Sequence, residues 1–330
     1  MRYLITGGAG FIGSHLVDAL IDRGDSVVVL DDLSTGRRRN LEQHTGSASL
    51  EFVEGSVLDQ ELVDELVASA DVVMHLASAV GVQLVVDRPL DSLIRNVRGN
   101  DTVISAAARH GRRLLFTSTS EVYGKNSSDA LSEDSDRVLG SPYKSRWAYA
   151  TAKAFGEALA YGYHRERETP VVVVRLFNTV GPRQRGAYGM VLPRFVRQAL
   201  AGEELSVFGT GAQSRCFVHV DDSVNAMLML CDAELATGRV FNVGSEREIT
   251  IIELAGKVIE RSGSRSAIRL VPYDEAYAEG FEELGKRKPD TAALRQLTGW
   301  EPARDIDGII DDVIAYERSE ASEPGGVSLA

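Results

Sequence analysis

The chain has 330 residues, 44% of them hydrophobic and 25% charged, an ordinary globular composition with room for one large domain and a smaller one. A formal net charge of -12 argues against nucleic acid or an anionic membrane as a general partner. Only two cysteines are present, Cys216 and Cys231, no apolar run could span a bilayer, and the first apolar run starts too near Met1 for a signal peptide, so a soluble protein of the reducing cytoplasm is expected.

The first apolar run, Tyr3–Thr6, leads straight into Gly7-Gly8-Ala9-Gly10-Phe11-Ile12-Gly13. A predicted helix, Ser14–Arg23, and a second apolar run, Ser26–Leu30, follow and end in Asp31. Glycines at this spacing between a strand and a helix form the βαβ dinucleotide fingerprint. Gly7 permits the tight turn, Gly10 lets the backbone approach a pyrophosphate, and Gly13 lets the helix pack close to the sheet. The free N–H groups of the helix N-terminus then face the phosphates. Asp31 is expected to accept from the adenosine ribose hydroxyls and so to select NAD. Arg37-Arg38-Arg39 downstream could hold a 2′-phosphate or simply form a solvated loop face. An acid at the strand end repels that phosphate, which favours NAD.

Strand and helix signals continue to alternate. Strands are predicted at Leu50–Val53, Val72–Leu76, Leu114–Thr117 and Val171–Leu176, with helices at Gln60–Ala70, Asp91–His110 and Ala148–Glu168. Near-continuous apolar strands separated by helices imply a parallel sheet covered on both faces, and right-handed crossovers make it doubly wound. The expected fold is therefore α/β: a Rossmann sheet with a smaller mixed α/β substrate lobe. After Asn178 the pattern loosens. Residues Gly181–Gly189 read as a loop, Leu192–Ala201 as a helix, and Leu205–Phe208, Cys216–Val220 and Arg239–Val243 as short strands. Helices are predicted at Asp221–Cys231, Thr250–Arg261 and Thr291–Leu297. The domain division that results is 1–178 with return segments near 214–240 for the cofactor domain, and 179–213 with 241–318 for the substrate lobe. The polar stretch 319–330 reads as a disordered tail.

Two motifs carry chemistry. In Tyr149-Ala150-Thr151-Ala152-Lys153 the Tyr and Lys share one helix face. A free tyrosine titrates near ~10, and a nearby ammonium favours the phenolate. A lowering of about three units is worth about 4 kcal/mol. The positive ring of NAD+ would add to the effect, and Lys153 can also bond the nicotinamide ribose. The spacing alone is common by chance; its position after a fingerprint and five strand signals gives it weight. The second motif, Thr117-Ser118-Thr119-Ser120-Glu121-Val122-Tyr123-Gly124, follows a strand and should emerge at the ligand end of the sheet. Glu121 there either caps the next helix or works beside the ligand as a base or polar positioner. Arg287 either lies in a surface cluster, Lys286-Arg287-Lys288, or forks onto a carboxylate. Arg215, after Gly209-Thr210-Gly211, suits a phosphate.

Other signals are weaker. Cys216 and His219 have C-x-x-H spacing, but no second pair completes a zinc site, and no metal is expected. His219-Val220-Asp221 has no nucleophile elbow and reads as a strand end entering a helix cap. His75 reads as a hydrogen-bonded structural histidine.

With these residues in view, the chain from Arg2 to about Tyr316 resembles the NAD-dependent nucleotide-sugar epimerases and dehydratases of the extended short-chain dehydrogenase/reductase group. Ser118–Gly124, Lys144–Tyr149, Phe177–Arg183, Arg287–Asp290 and Gly299–Pro302 look most similar to UDP-glucuronate decarboxylases. The resemblance implies that Thr119 bonds the C4 hydroxyl and that Tyr149 takes its proton while hydride passes from C4 to NAD+. The resulting 4-ketone lies β to the carboxylate, so CO2 leaves readily. The resemblance implies that either bound NADH then returns its hydride, giving UDP-xylose, or the ketone is released. Ser120, Glu121 and Arg287 match positions that hold the carboxylate and manage the proton at C5. Asn178 and Arg215 match positions near the diphosphate, and Arg185, Val191 and Val207 complete the expected substrate wall. The expected cofactor wall comprises Gly7, Gly10, Phe11, Ile12, Gly13, Asp31, Asp32, Ser34, Thr35, Gly36, Ser56, Val57, Leu76, Ala77, Ser78, Asn96, Thr117 and Arg183, with Tyr149 and Lys153. A homodimer through the helices near Asp91–His110 and Ala148–Glu168 is implied as well. A 4-epimerase would share the first oxidation but needs no acid at Glu121. A 4,6-dehydratase would use Glu121, but many carry Asp where this chain has Ser120. A non-catalytic NAD-binding regulator is disfavoured by the intact Tyr149, Lys153, Thr119 and Glu121.

Overall fold

The computed structural model describes residues 1–79, 89–185, 190–276 and 287–322. Its central sheet holds β1 (Arg2–Thr6), β2 (Ser26–Asp31), β3 (Leu50–Glu54), β4 (Val72–His75), β5 (Arg113–Thr119), β6 (Val171–Leu176) and β11 (Arg239–Val243). The spatial order is β11-β6-β5-β4-β1-β2-β3 and every pairing is parallel. Val27–Leu30 and Val171–Val174 are buried without alternation, as strands covered on both faces must be. On one face Leu16, Val17 and Leu20 of α1 (Phe11–Asp22) meet Val224 and Met227 of α6 (Val220–Asp232). On the other face α2 (Gln60–Ser69), α3 (Pro89–Arg109) and α4 (Arg146–Arg167) contribute Val63, Leu66, Val103, Ile104 and Ala160. Each such side chain contributes roughly 1.5–3 kcal/mol by leaving water. The strand order reverses where β1 pairs with both β2 and β4, which opens a crevice beyond the carboxyl ends of those strands.

The smaller lobe covers that crevice. Its core is Phe195 and Val196 of α5 (Val191–Ala201), Leu254 and Val258 of α7 (Ile251–Ser262), and Ile310 and Val313 of α9 (Ile306–Ser322). Two two-stranded pairs complete it, β8 (Leu205–Phe208) with β13 (Ile268–Val271) and β9 (Ser214–Cys216) with β12 (Glu248–Thr250). The pair of β7 (Thr179–Val180) with β10 (Val218–His219) joins the lobes, Val180 packing in this core and Val218 in that of the main sheet.

Four local expectations need correction. Helix α1 starts at Phe11 rather than Ser14, because Gly10, not a side chain, sits at its cap. Residues 241–243 are not part of the smaller lobe: β11 is the sheet's outer strand, with Phe241 and Val243 fully buried against β6. Leu294 of α8 (Ala292–Thr298) and Trp300 join that same core. The predicted strand Cys216–Val220 is two strands with different partners, and it ends as His219 caps α6 by accepting from the Asp221 N–H at 3.1 Å. The polar stretch from Ser319 is helical as far as Ser322, and Glu320 pairs with Arg37 and Arg39. Residues 323–330, with 186–189 of the predicted loop and Lys286 of the basic cluster, lie outside the described residues.

Candidate active site

The crevice is a cavity of about 710 Å³ lined from both lobes. At one end Gly7, Gly10, Phe11, Ile12 and Gly13 form the wall. Gly7 has φ +74°, and a Cβ on it would lie 2.8 Å from the Ala77 nitrogen. A Cβ on Gly13 would collide with the Gly7 carbonyl oxygen, so the helix start can approach the β1 turn only with glycine there. The orphan N–H groups of the α1 N-terminus face an anion-sized space, which fits a dinucleotide pyrophosphate.

Asp31 is 7% exposed. One carboxylate oxygen accepts from the Ala9 N–H and the other from the Leu33 N–H, both at 2.9 Å. Burial pushes its carboxyl upward against those two bonds, while each oxygen keeps a lone pair for a ribose hydroxyl. The neighbouring arginines are committed elsewhere: Arg38 to Glu54 at 3.0 Å, and Arg37 and Arg39 to Glu320. They therefore form no free 2′-phosphate pocket. Asp32, Ser34, Thr35, Ser56, Val57, Leu76, Ala77, Ser78, Asn96 and Thr117 also line this end. Gly36 and Arg183 do not. Gly36 packs on the Asp31 carboxylate, and Arg183 is spent on Asp18 at 2.8 Å.

At the centre of the cavity Tyr149 and Lys153 project one turn apart from α4, which approaches β5 closely at Gly156, where a Cβ would meet the Phe116 ring at 2.5 Å. Lys153 is 2% exposed, donates to the Thr117 carbonyl at 2.8 Å and lies 5.1 Å from the Phe116 ring centre. Burial pushes its ammonium down to about 7, against the pull of Glu157. The Tyr149 phenol, hydrogen-bonded with Ser78, is pushed up by burial and by the Glu121 charge. The expected acidification of Tyr149 by Lys153 is thus not a property of the protein alone. Desolvation acts on both groups, and the ammonium is directed at a backbone carbonyl.

At the substrate end the strand β5 stops at Thr119, whose hydroxyl accepts from the Glu121 N–H at 3.2 Å and caps the turn Ser120–Tyr123. Thr119, not Glu121, is the cap. The Glu121 carboxylate instead meets Arg287 at 2.5 Å and Arg146 at 3.1 Å. Burial would raise its carboxyl, but Arg287 and Arg146, then Arg215, outweigh that and hold it below the usual carboxylate range. Arg287 is 8% exposed, and its Nη1 also reaches the Ser120 hydroxyl at 3.5 Å. Its chain segment is fixed by the Lys288 carbonyl accepting from the Leu131 N–H at 2.8 Å. The Arg287 Nε is buried and has no partner among the described residues, and the residue lines the cavity, so its guanidinium keeps donors for an anionic ligand.

Asn178, with φ +23° and its amide on the Cys216 carbonyl at 2.9 Å, lines the cavity with Val191 and Arg215. Val207 does not: it is fully buried in the lobe core, and strand alternation turns Phe208 to the cavity instead. Arg185 lies off the wall, beside Arg37. Arg146, Arg194 and Gln213 were missed by sequence reasoning. Arg146 sits three residues before Tyr149, so helix spacing alone could have placed it on the same face. The Arg194 guanidinium stacks 3.9 Å from the Phe208 ring centre, a platform at the lobe end of the cavity.

The remaining candidates are structural. His75 bonds Thr6 at 2.7 Å and Asn100 at 3.1 Å, and burial pushes it down to about 3. Cys216 and Cys231 are buried and form no disulfide with each other. Among the described residues no cluster of metal-ligating side chains occurs, and no helix is long and apolar enough to cross a membrane.

The family model described as "NAD dependent epimerase/dehydratase family" matches residues 3–244. The chain belongs to that family. The match bears out the resemblance read from the motifs, and NAD is the cofactor that the cradle serves. UDP-N-acetyl-alpha-D-glucosaminuronate decarboxylase of Bacillus cytotoxicus is 41% identical over 91% of this chain and 92% of its own length. UDP-glucuronic acid decarboxylase 1 of Xenopus tropicalis is 35% identical over 97% of this chain and 72% of its own. Among solved structures, a UDP-glucuronic acid 4-epimerase of Bacillus cereus, in complex with UDP-glucuronic acid and NAD, superposes with a TM-score of 0.86. It is 26% identical over 97% of this chain and 99% of that one.

Proposed function

We propose that this protein decarboxylates a UDP-linked uronic acid by oxidising C4 first. The observation that carries the reading is the pairing of Glu121 with Arg287 and Arg146 in one cavity with Tyr149 and Lys153. Both named decarboxylase relatives support it. When bound, NAD accepts the hydride from C4 and brings a cationic ring close to the phenol. Thr119 and Ser78 orient the C4 hydroxyl and the Tyr149 phenol, and Tyr149 takes the hydroxyl proton. Lys153 supplies positive charge and a bond to the nicotinamide ribose. The C4 carbonyl then lies β to the carboxylate and accepts the electron pair as CO2 leaves. Arg287 holds that carboxylate through its remaining donors, and Ser120 and Glu121 manage the proton returned to C5. Arg215 and Asn178 face the diphosphate, and Phe208 with Arg194 offers a stacking platform for the base.

The exposed apolar residues Ile94 of α3 and Phe155 and Tyr161 of α4 support a homodimer built on those two helices. A chain with only two cysteines, both buried and not joined to each other, supports a reducing cytoplasm.

The test is to incubate the protein with NAD+ and either UDP-glucuronate or UDP-N-acetylglucosaminuronate and weigh the products. A product lighter by CO2 alone, if the hydride returns to C4, or by CO2 and two hydrogens, if the 4-ketone is released, is expected from at least one. A product of unchanged mass would make the protein a 4-epimerase instead.

A further inference from the structure

One turn beyond Lys153, on the same helix, lies a second buried charge that the reaction above does not use. Glu157 is 3% exposed and Arg175, on β6, is 4% exposed. Arg175 forks onto the Glu157 carboxylate, Nε at 3.0 Å and Nη2 at 2.9 Å. Arg137 reaches the same carboxylate from the surface, and the Ser118 hydroxyl donates to it from β5. The helix is therefore fastened to the end of β5 twice: Lys153 donates to the carbonyl of Thr117, and Glu157 accepts from the side chain of Ser118. Both strand residues line the cavity. Desolvating a carboxylate and a guanidinium group is costly, and a packed apolar cluster is often as stable, so an ionic cluster behind the catalytic pair needs a reason.

We propose that Glu157 is a positioning residue for the reaction: its carboxylate, one turn along α4, favours the ammonium form of Lys153 and, through Ser118, fixes the strand end that carries the Thr117 carbonyl. The inference rests on the reading that Lys153 serves the chemistry proposed above. The groups facing Lys153 among the described residues leave Glu157 as its nearby carboxylate. From α4 they are Tyr149 and Glu157; from β4, His75, which burial keeps neutral; from β5, the Phe116 ring and the Thr117 carbonyl; Arg175 of β6 and Arg137 meet Glu157 rather than Lys153. Burial drives the Lys153 ammonium towards neutrality and Glu157 opposes it. Arg137 and Arg175 partly cancel the Glu157 charge, so the cluster sets how much of that charge Lys153 feels.

The test is a competitive-labelling titration of Lys153 in the full-length protein without added nucleotide, using trace acetic anhydride across pH and peptide mapping by mass. Wild type should label with a midpoint of about 7. In Glu157→Gln the midpoint should fall by on the order of one pH unit, and the alkaline edge of the first oxidation should move the same way. In Arg137→Gln, which removes a competing cation at the rim, it should rise. A purely structural role would lower the stability of both variants and leave both midpoints in place. An unmoved or raised midpoint in Glu157→Gln overturns the proposal. Should that variant fail to fold, Arg137→Gln decides: a raised midpoint supports the proposal, and an unmoved or lowered one overturns it. The labelling reports Lys153 even if no nucleotide sugar turns over, so this inference and the proposed function can fail separately.

Discussion

Glu121 and Arg287, 166 positions apart in the chain, meet at 2.5 Å where the end of β5 faces the segment leading into α8. Neither charge would be stable there alone, and the pair leaves the Arg287 Nε buried without a partner among the described residues. Arg287→Ala should therefore spare the first oxidation more than CO2 release. Reduced-cofactor absorbance in a single turnover, read beside CO2 evolution, separates the two steps. Equal loss of both would remove the carboxylate-holding role.

Arg146 gives a second handle on the same carboxylate. It approaches both Glu121 oxygens, at 3.1 and 3.3 Å, and helps hold the Glu121 carboxyl low. Arg146→Gln should raise that carboxyl, so that full ionisation needs a higher pH and the acid edge of the rate profile moves up. The rate at neutral pH should fall by about ten- to a hundred-fold, the equivalent of roughly 1.4–2.7 kcal/mol. A reduced rate with an unmoved acid edge would mean that Arg146 acts elsewhere.

Local rules made the cofactor end legible. Glycine spacing, strand burial and the acid at the end of β2 each depend on neighbours within about thirty residues, the length of one βαβ unit. Elements fixed by partners far along the chain were harder to place. Arg239–Val243 reads as an isolated short strand because its partner, β6, lies some seventy residues earlier. The choice between Val207 and Phe208 depends on which face of β8 meets the lobe core, and composition does not settle that. Arg146 stood in a quoted motif without a role, since its partner Glu121 is brought to it by the β5 turn. The electrostatics of Tyr149 and Lys153 were misjudged for a related reason. Their spacing is local, but the burial that governs both comes from the whole sheet.

Lys153 should weaken the nucleotide-free fold in a pH-dependent way. Its folded-state value of about 7 lies below the ordinary 10.5, so between those limits the unfolded chain binds the extra proton and stability rises with pH. Lys153→Met should therefore be more stable than wild type below pH 7, by on the order of a few kcal/mol. The gap should close as pH rises towards 10.5. Denaturant midpoints at pH 6.5 and 9.5 check this; a constant gap would contradict it.

His75 acts over a lower range. Burial takes it from 6.5 to about 3, so the unfolded state holds more protons between those values and stability falls as pH drops through 6.5. His75→Gln should lose less stability than wild type between pH 7 and pH 4.5. Parallel denaturation curves that shift equally would show that His75 titrates normally.

The central claim is that Tyr149 removes the proton of the C4 hydroxyl, so that the ketone formed at C4 lets CO2 leave. The most direct measurement supplies NAD+ and a UDP-uronate labelled with carbon-13 at C6, then follows labelled CO2 with wild type and with Tyr149→Phe. Wild type should release labelled CO2, and the variant should lose about 10²–10⁴ of that rate, the usual worth of a general base, while still binding the nucleotide sugar. Labelled CO2 released equally fast by the variant, or none from wild type with either uronate, would contradict the account.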